Sequence, residues 1–241
     1  MKLASKNGRQ RLTVGIFLFF ISCATVVAQE QAQEYKYEIG GGIGTSMYMG
    51  DANSTSLSQG WNPAFDVIFR RNFNLRWALK TNLRMGKVNG NTENQKNVFP
   101  DFAQVSFSRT FYELGGQVEF NFMPYSDKFP YLNTSRVSPY VLTGFGLTLA
   151  PGNSETFLGL SLPLGIGVKY KVGNRLNLGL EFSSHRLFGD AFDAPDKNGF
   201  NLNNPYNVQS GLFKNKDWYN TLMFSITWDF GPICRDCWNE L

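Results

Sequence analysis

The chain has 241 residues, with 23 Lys or Arg, 19 Asp or Glu, one His and three Cys. Four of the basic residues lie near its N-terminus, so the rest of the chain carries 19 basic residues (23 minus 4) against 19 acidic ones. This balance excludes the basic surface of a nucleic-acid-binding protein or of a protein that binds anionic membranes, and no later segment approaches the about 18 apolar residues of a transmembrane helix.

The N-terminal 28 residues have the pattern of an export signal. Lys2 to Arg11 supplies positive charge, Leu12 to Val27 is apolar, and Ala28 is a small residue at the cleavage position. The sequence therefore predicts a cleaved signal peptide over 1–28, a barrel domain over 29–230 and a tail over 231–241. Cys23 leaves a lipoprotein as an alternative, which the bulky residues before it disfavour.

Eight later stretches alternate apolar and polar side chains with a period of two, which predicts β-strands. Most keep the alternation for about ten residues or more, as tilted strands in a bilayer do, whereas strands of soluble sheets average about five or six. We therefore predict an all-β fold, an eight-stranded antiparallel transmembrane β-barrel of the outer-membrane type with a filled polar interior. The predicted strands are 35–49, 61–73, 75–85, 110–123, 139–149, 158–172, 176–182 and 218–230.

One stretch breaks the pattern. Val105, Phe107 and Phe111 are apolar but fall on the parity opposite to the apolar face of the fourth strand. We expect a bulge or a loop there.

Inward-facing charges of neighbouring strands should pair inside such a barrel. The residues predicted to form this structural network are Asp66, Arg76, Lys80, Arg84, Glu113, Glu119, Lys169 and Glu181. In the predicted register Arg84 faces Glu113, and a turn centred on Asn74 places Asp66 opposite Asn82. Lys169 and Glu181 lie one diagonal step apart. Because an eight-stranded lumen is filled by side chains, a packed core is favoured over an ion path.

His185 is the single histidine, and we predict it at the outer rim near Asp190 and Asp193. A histidine oriented by a carboxylate can act as a general base, so a hydrolase at the rim is one hypothesis. No nucleophile motif, phosphate-binding Gly loop or metal-ligand spacing accompanies it. We therefore expect no catalytic residue, no cofactor and no metal.

The tail GPICRDCWNEL continues past Phe230, the outward aromatic at which such a barrel normally stops. In an oxidising periplasm two thiols persist mainly as disulfides. Cys234 and Cys237 can therefore bond to each other or to a partner chain, and a metal or redox role is the remaining alternative because the pair is half a zinc site.

The segment YEIGGGIGTSMYMGD, from Tyr35 to Asp51, resembles the opening strand of the PorG-like outer-membrane proteins of the type IX secretion system. The segments SPYVLTGFGL and SLPLGIGVKYKVGNRLNLGLEFSSHR resemble the same wider family of small barrels, and the Cys-bearing tail points to the secretion component. The resemblance implies a non-enzymatic role in protein secretion and gliding motility. It implies an outer-membrane protein that attaches a periplasmic ring, built from a lipoprotein and its partner, to the membrane.

A filled barrel cannot pass folded cargo, so we expect it to act as an anchor with its periplasmic side binding the partners. The candidate partner-binding residues lie in the tail and in the long turn 124–138; they are Cys234, Cys237, Trp238, Tyr125, Phe129 and Tyr131. The alternative is a surface adhesion or defence barrel that acts through its outer loops 51–60, 89–104 and 188–216.

Overall fold

A computed structural model describes residues 35–49, 61–91, 106–128, 132–152, 156–188 and 218–231. The predicted export signal and the Cys-bearing tail lie outside these residues. Eight strands pair in chain order, and β8 pairs with β1 to close a barrel. Every pairing is antiparallel. The strands are β1 (Tyr37–Met49), β2 (Asn62–Asn72), β3 (Trp77–Asn91), β4 (Ser106–Asn121), β5 (Val137–Ala150), β6 (Phe157–Lys171), β7 (Leu176–Phe188) and β8 (Trp218–Phe230).

The prediction of an eight-stranded antiparallel barrel is confirmed. We call the end at which Tyr37 pairs with Phe230 the terminal end, and the end at which Met49 pairs with Trp218 the loop end. No helix of the described residues is long and apolar enough to span a membrane.

The outer wall of the barrel is apolar. Large hydrophobic side chains on every strand are exposed, among them Phe145 at 68%, Ile43 at 62% and Leu83 at 55%. Alternate residues of the same strands face inward, and most of the buried ones are polar or charged. A continuous apolar surface of this extent has no stabilising partner in water, whereas hydrocarbon covers it in a bilayer. The chain is therefore an outer-membrane-type β-barrel.

Aromatic side chains ring the wall at the terminal end. The ring centroid of Tyr37 lies 5.8 Å from that of Phe69 and 5.6 Å from that of Phe230. Farther round the wall, the rings of Trp77 and Phe120 are 4.8 Å apart. Such rings mark the boundary between hydrocarbon and headgroups.

The predicted register is right for one hairpin and wrong for the other. Arg84 faces Glu113 across β3 and β4, as predicted. Across β2 and β3, however, Asp66 faces Arg84 and not Asn82. The difference arises in the turn between the two strands. There the Asn74 side-chain oxygen accepts hydrogen bonds from the backbone N–H groups of Arg76 and Trp77, at 2.9 and 2.7 Å. The pairing is thereby centred one residue later than predicted.

The expected bulge near Phe111 is also wrong. The β3–β4 ladder is unbroken from Trp77 and Phe120 to Asn91 and Ser106. Phe111 keeps the inward parity and is fully buried. The parity of the strand does not change there; instead the interior becomes apolar towards the loop end. Val105 lies outside the described residues.

The backbones of β1 and β8 approach each other closely where the first and last strands pair, a contact that we call the seam. A Cβ atom on Gly40 would lie 2.0 Å from the Ile226 carbonyl oxygen, whereas a Cβ atom on Gly116 would meet nothing within 4 Å. We expect Gly40→Ala to destabilise the barrel by roughly 1–3 kcal/mol because the wall must shift. Gly116→Ala should be neutral or slightly stabilising. Urea unfolding in lipid vesicles measures both, and equal effects would contradict the seam geometry.

The lipid-facing wall is tested at Phe145. We expect Phe145→Arg to cost about 2–4 kcal/mol of unfolding free energy because the guanidinium must enter hydrocarbon. Phe145→Leu is the matched control and should cost less than about 1.5 kcal/mol. If the two variants unfold at the same urea concentration, the outer wall does not face lipid.

Candidate functional site

The barrel interior holds a network of buried charged side chains from seven of the eight strands. Each member has 6% or less of its surface exposed. The acidic members are Glu38, Asp66, Glu113, Glu119, Glu181 and Asp229, and the basic members are Arg70, Lys80, Arg84, Lys169 and Lys171. Burial of this many charges is tolerable only where each is paired.

Glu119 is the centre of the network near the terminal end. Its carboxylate accepts a hydrogen bond from Arg70 at 3.2 Å and another from Lys169. Lys80 lies 3.9 Å away. Arg70 also donates to Glu38, so strands β1, β2, β4 and β6 are joined through two carboxylates.

Glu181 forms the next connection across the lumen. Lys80 donates to both of its carboxylate oxygens, at 2.8 and 2.6 Å, and the Tyr140 hydroxyl donates to one of them at 2.8 Å. Lys169 and Glu181 lie one diagonal step apart on the β6–β7 hairpin, as predicted. Each nevertheless forms its ion pair with a residue of another strand, Lys169 with Glu119 and Glu181 with Lys80. Other ion pairs of the network join directly opposite residues of neighbouring strands, namely Arg70 with Glu38 and Arg84 with Asp66.

Arg76 does not join the network. It precedes β3 at the terminal end, where its guanidinium donates to the Phe122 carbonyl oxygen at 2.6 Å in an exposed position. The prediction that Arg76 belongs to the interior network is wrong, because strand β3 begins only at Trp77. The predicted network lacks four of the members, although their inward parity on the alternating strands could have identified them; they are Glu38, Arg70, Lys171 and Asp229.

His185 lies inside the barrel and not at its rim. Strand β7 continues to Phe188, and His185 is fully buried on the inward side. Its Nδ1 atom is 3.0 Å from the Glu113 carboxylate, and its Nε2 atom is 2.7 Å from a guanidinium nitrogen of Arg84. The predicted neighbours Asp190 and Asp193 lie outside the described residues.

The partners of this imidazole set the direction of its hydrogen bonds. Arginine is only a donor, so Nε2 of His185 accepts from Arg84 and Nδ1 carries the proton that is donated to Glu113. Glu113 also accepts from the hydroxyls of Ser161 at 2.7 Å and of Tyr219. The Tyr219 ring stacks on the imidazole with 4.5 Å between centroids. His185 therefore lies between a cation and a carboxylate and contacts both.

The group formed by Ser183, His185 and Glu113 has the spacing of a catalytic triad. The Ser183 hydroxyl oxygen is 3.0 Å from Nε2 of His185. Two features oppose catalysis: Arg84 already donates to the atom that would accept the serine proton, and all three side chains are fully buried. Among the described residues, no group of three or more His, Cys, Asp or Glu could hold a metal ion.

The turn between β4 and β5 folds over the terminal end. The Tyr125 hydroxyl donates to Asn177 at 2.8 Å, and Asn177 donates in turn to Asp229 at 2.7 Å. Lys171 donates to the same carboxylate at 2.6 Å. A cavity of about 30 Å³ remains between these groups and Glu38, which is room for about one water molecule.

Tyr125 is therefore partly buried in the mouth of the barrel. Burial raises the pKa of the Tyr125 phenol, and the carboxylates of Glu38 and Asp229 add to the increase, so the hydroxyl keeps its proton and its hydrogen bond to Asn177. Of the predicted partner-binding residues only Tyr125 is described; Phe129, Tyr131, Cys234, Cys237 and Trp238 lie outside the described residues.

Removing the central carboxylate tests the network. We expect Glu119→Gln to lower the free energy of unfolding by about 3–5 kcal/mol, because Arg70 and Lys169 lose a buried counter-charge. The control is Arg136→Ala, which removes an exposed ion pair. Arg136 lies 3.9 Å from Asp127, and its side chain is 58% exposed. This control should change the free energy of unfolding by less than about 1 kcal/mol. Urea unfolding in vesicles compares the two, and similar midpoints would show that the network is not needed.

The structure is similar to solved structures of small barrels at low sequence identity. Neisserial surface protein A (NspA) is 12% identical with a TM-score of 0.46, and the match covers 80% of this chain and 97% of that one. Ail, the attachment invasion locus protein of Yersinia pestis, in complex with the heparin analogue sucrose octasulfate, is 14% identical with a TM-score of 0.46, covering 82% and 100%. OprG from Pseudomonas aeruginosa is 12% identical with a TM-score of 0.43, covering 83% and 98%.

No curated protein matches the chain in sequence. A family model described as a domain of unknown function, DUF6089, matches residues 15–239. The match spans nearly all of the 241 residues, and the chain belongs to the DUF6089 family.

Proposed function

We propose that this protein is a non-enzymatic anchor in the outer membrane, which holds periplasmic ring components of a type IX secretion machine through its terminal end. The observation that carries the proposal is the filled interior. A barrel closed by buried ion pairs serves as a fixed point in the membrane and not as a conduit. The partners are a ring lipoprotein and its companion protein, as the resemblance of the opening strand implies.

The interior is closed along its length. The mouth at the terminal end is occupied by Tyr125, Lys171 and Asp229. Ion pairs fill the middle, and at the loop end the inward side chains of Phe111 and Leu187 are fully buried. An eight-stranded wall leaves no room beyond its own side chains. We therefore expect partner proteins to bind at surfaces outside the lumen.

The terminal end is favoured because the tail leaves the barrel there. Strand β8 ends at Phe230, and Gly231 follows with a φ of 107°, a conformation that glycine adopts without strain. The sequence beyond carries Cys234, Cys237 and Trp238, which offer a disulfide and an aromatic contact to a partner. Neither group is needed to complete the barrel, since β8 already pairs with β1 along its whole length.

Deleting residues 232–241 tests the anchor. We expect the truncated chain to form a heat-modifiable barrel but to lose co-purification with the ring proteins and to reduce cargo export by at least tenfold. The matched control deletes a similar number of residues from the loop 189–217 and should keep both. Unchanged export after tail removal contradicts the anchor, and loss of function only after loop removal would favour the adhesion or defence barrel.

The two tail cysteines can be tested separately. We expect Cys234→Ser and Cys237→Ser, made singly, to abolish a crosslinked species on a nonreducing gel of whole membranes if the tail bonds to a partner. If the tail bonds to itself, each single variant should free one thiol that reacts with maleimide, and no larger species should change. Thiols that react fully in the wild-type chain would contradict both disulfide forms.

A further inference from the structure

The outward charges of the wall are all of one sign. Among the described strand residues, the charged side chains with outward parity are Arg71 at the terminal end and Lys87 and Arg186 towards the loop end. Every acidic residue of these strands faces inward and is buried. The even charge balance of the sequence hides this separation, because it adds the buried acids to the exposed bases.

Arg71 lies within the aromatic ring of the terminal end. It pairs with Tyr37 on one side and with Leu79 on the other, and both of these face outward. Its guanidinium carbon is 5.2 Å from the centroid of the Phe73 ring. A guanidinium at this place on the outer wall must lie at the level of lipid headgroups, because hydrocarbon would not solvate it.

A second cation lies beside it. Lys36 is exposed, and its ammonium nitrogen is 5.9 Å from the centroid of the Tyr37 ring, the residue that pairs with Arg71. The Lys36 carbonyl oxygen accepts from the backbone N–H of Asn72, which fixes the two segments side by side. In the described segments 35–37 and 71–76 no residue is acidic. The two cations therefore lack a counter-charge from these segments.

Lys87, near the loop end, allows the height of the apolar band on the wall to be calculated. Leu79, which pairs with Arg71, and Lys87 are eight residues apart on β3. At a rise of about 3.3 Å per residue and a strand tilt of about 40°, they are separated by roughly 20 Å along the barrel axis. Arg71 and Lys87 extend away from the middle of the wall, so their charged groups lie on either side of an apolar band about 25 Å high, the height typical of such barrels.

We propose that Lys36 and Arg71 form a binding site for the phosphate of a net-anionic glycerophospholipid in the leaflet at the terminal end. Two cations without an outward acid favour a net-negative headgroup over a zwitterionic one. The guanidinium can donate two parallel hydrogen bonds to phosphate oxygens, while the Tyr37 and Phe73 rings contact the glycerol and upper acyl region. This site is independent of the proposed anchoring role, since it lies on the wall and uses no residue of the tail.

The test measures which lipids remain bound to the full chain. The protein is reconstituted in vesicles of phosphatidylethanolamine with a minority of phosphatidylglycerol, extracted in mild detergent and analysed by native mass spectrometry. We expect phosphatidylglycerol to be enriched severalfold over its share of the mixture. The double variant Lys36→Gln, Arg71→Gln should lose at least half of this enrichment and keep its heat-modifiable migration. Lys36→Arg, which keeps the charge, should retain the enrichment.

The control is Arg136→Gln, which removes one exposed positive charge at the same end but off the outward wall. It should leave the enrichment unchanged. The proposal is overturned if the wild-type chain shows no enrichment, if the double variant matches the wild type, or if Arg136→Gln lowers the enrichment as much. A double variant that keeps its lipid and instead loses capture of the ring proteins would assign the pair to a protein partner and also overturn the lipid site.

Discussion

The structure depends on the neutralisation of charge inside a closed wall. Hydrocarbon outside the barrel means that a buried carboxylate must be compensated from within the lumen, by a cation of another strand or, for Glu113, by His185 and hydroxyl groups. Glu119 takes its partners from β2 and β6, and Glu181 takes Lys80 from the opposite side of the lumen. These ion pairs thus connect different strands through the lumen, and together they fill the interior. The closure moves every candidate for function to the two ends and the outer wall.

The alternation of apolar and polar side chains predicts most of the fold, because the geometry of a β-strand imposes the period of two. It gives the number of strands, the inward set of charges and the pairing of Arg84 with Glu113. It does not give the centre of the turn at Asn74, which a side-chain hydrogen bond shifts. Nor does it give the partners across the lumen, since these depend on the tilt and shear of the whole barrel. Phe111 shows a further limit: inward does not mean polar where the interior itself is apolar.

The glycines of the opening strand have a structural explanation of their own. Gly40 and Gly44 both approach the β8 backbone so closely that a Cβ atom would lie 2.0 Å from a carbonyl oxygen, of Ile226 and of Leu222 respectively. A narrow barrel needs such an approach where its first and last strands meet. The glycine pattern therefore reports the closing of a small barrel, whatever the barrel does. If the proposed anchoring role is correct, specificity for a partner comes from residues outside this seam.

The interior also shows why distances alone do not identify an active site. Ser183, His185 and Glu113 meet the spacing of nucleophile, base and orienting carboxylate. A base must have a free lone pair, however, and in His185 that lone pair receives a hydrogen bond from Arg84, which cannot reverse the direction of donation. The same three residues therefore serve better as a link between two charges than as a proton relay, and the direction of one hydrogen bond decides between the two roles.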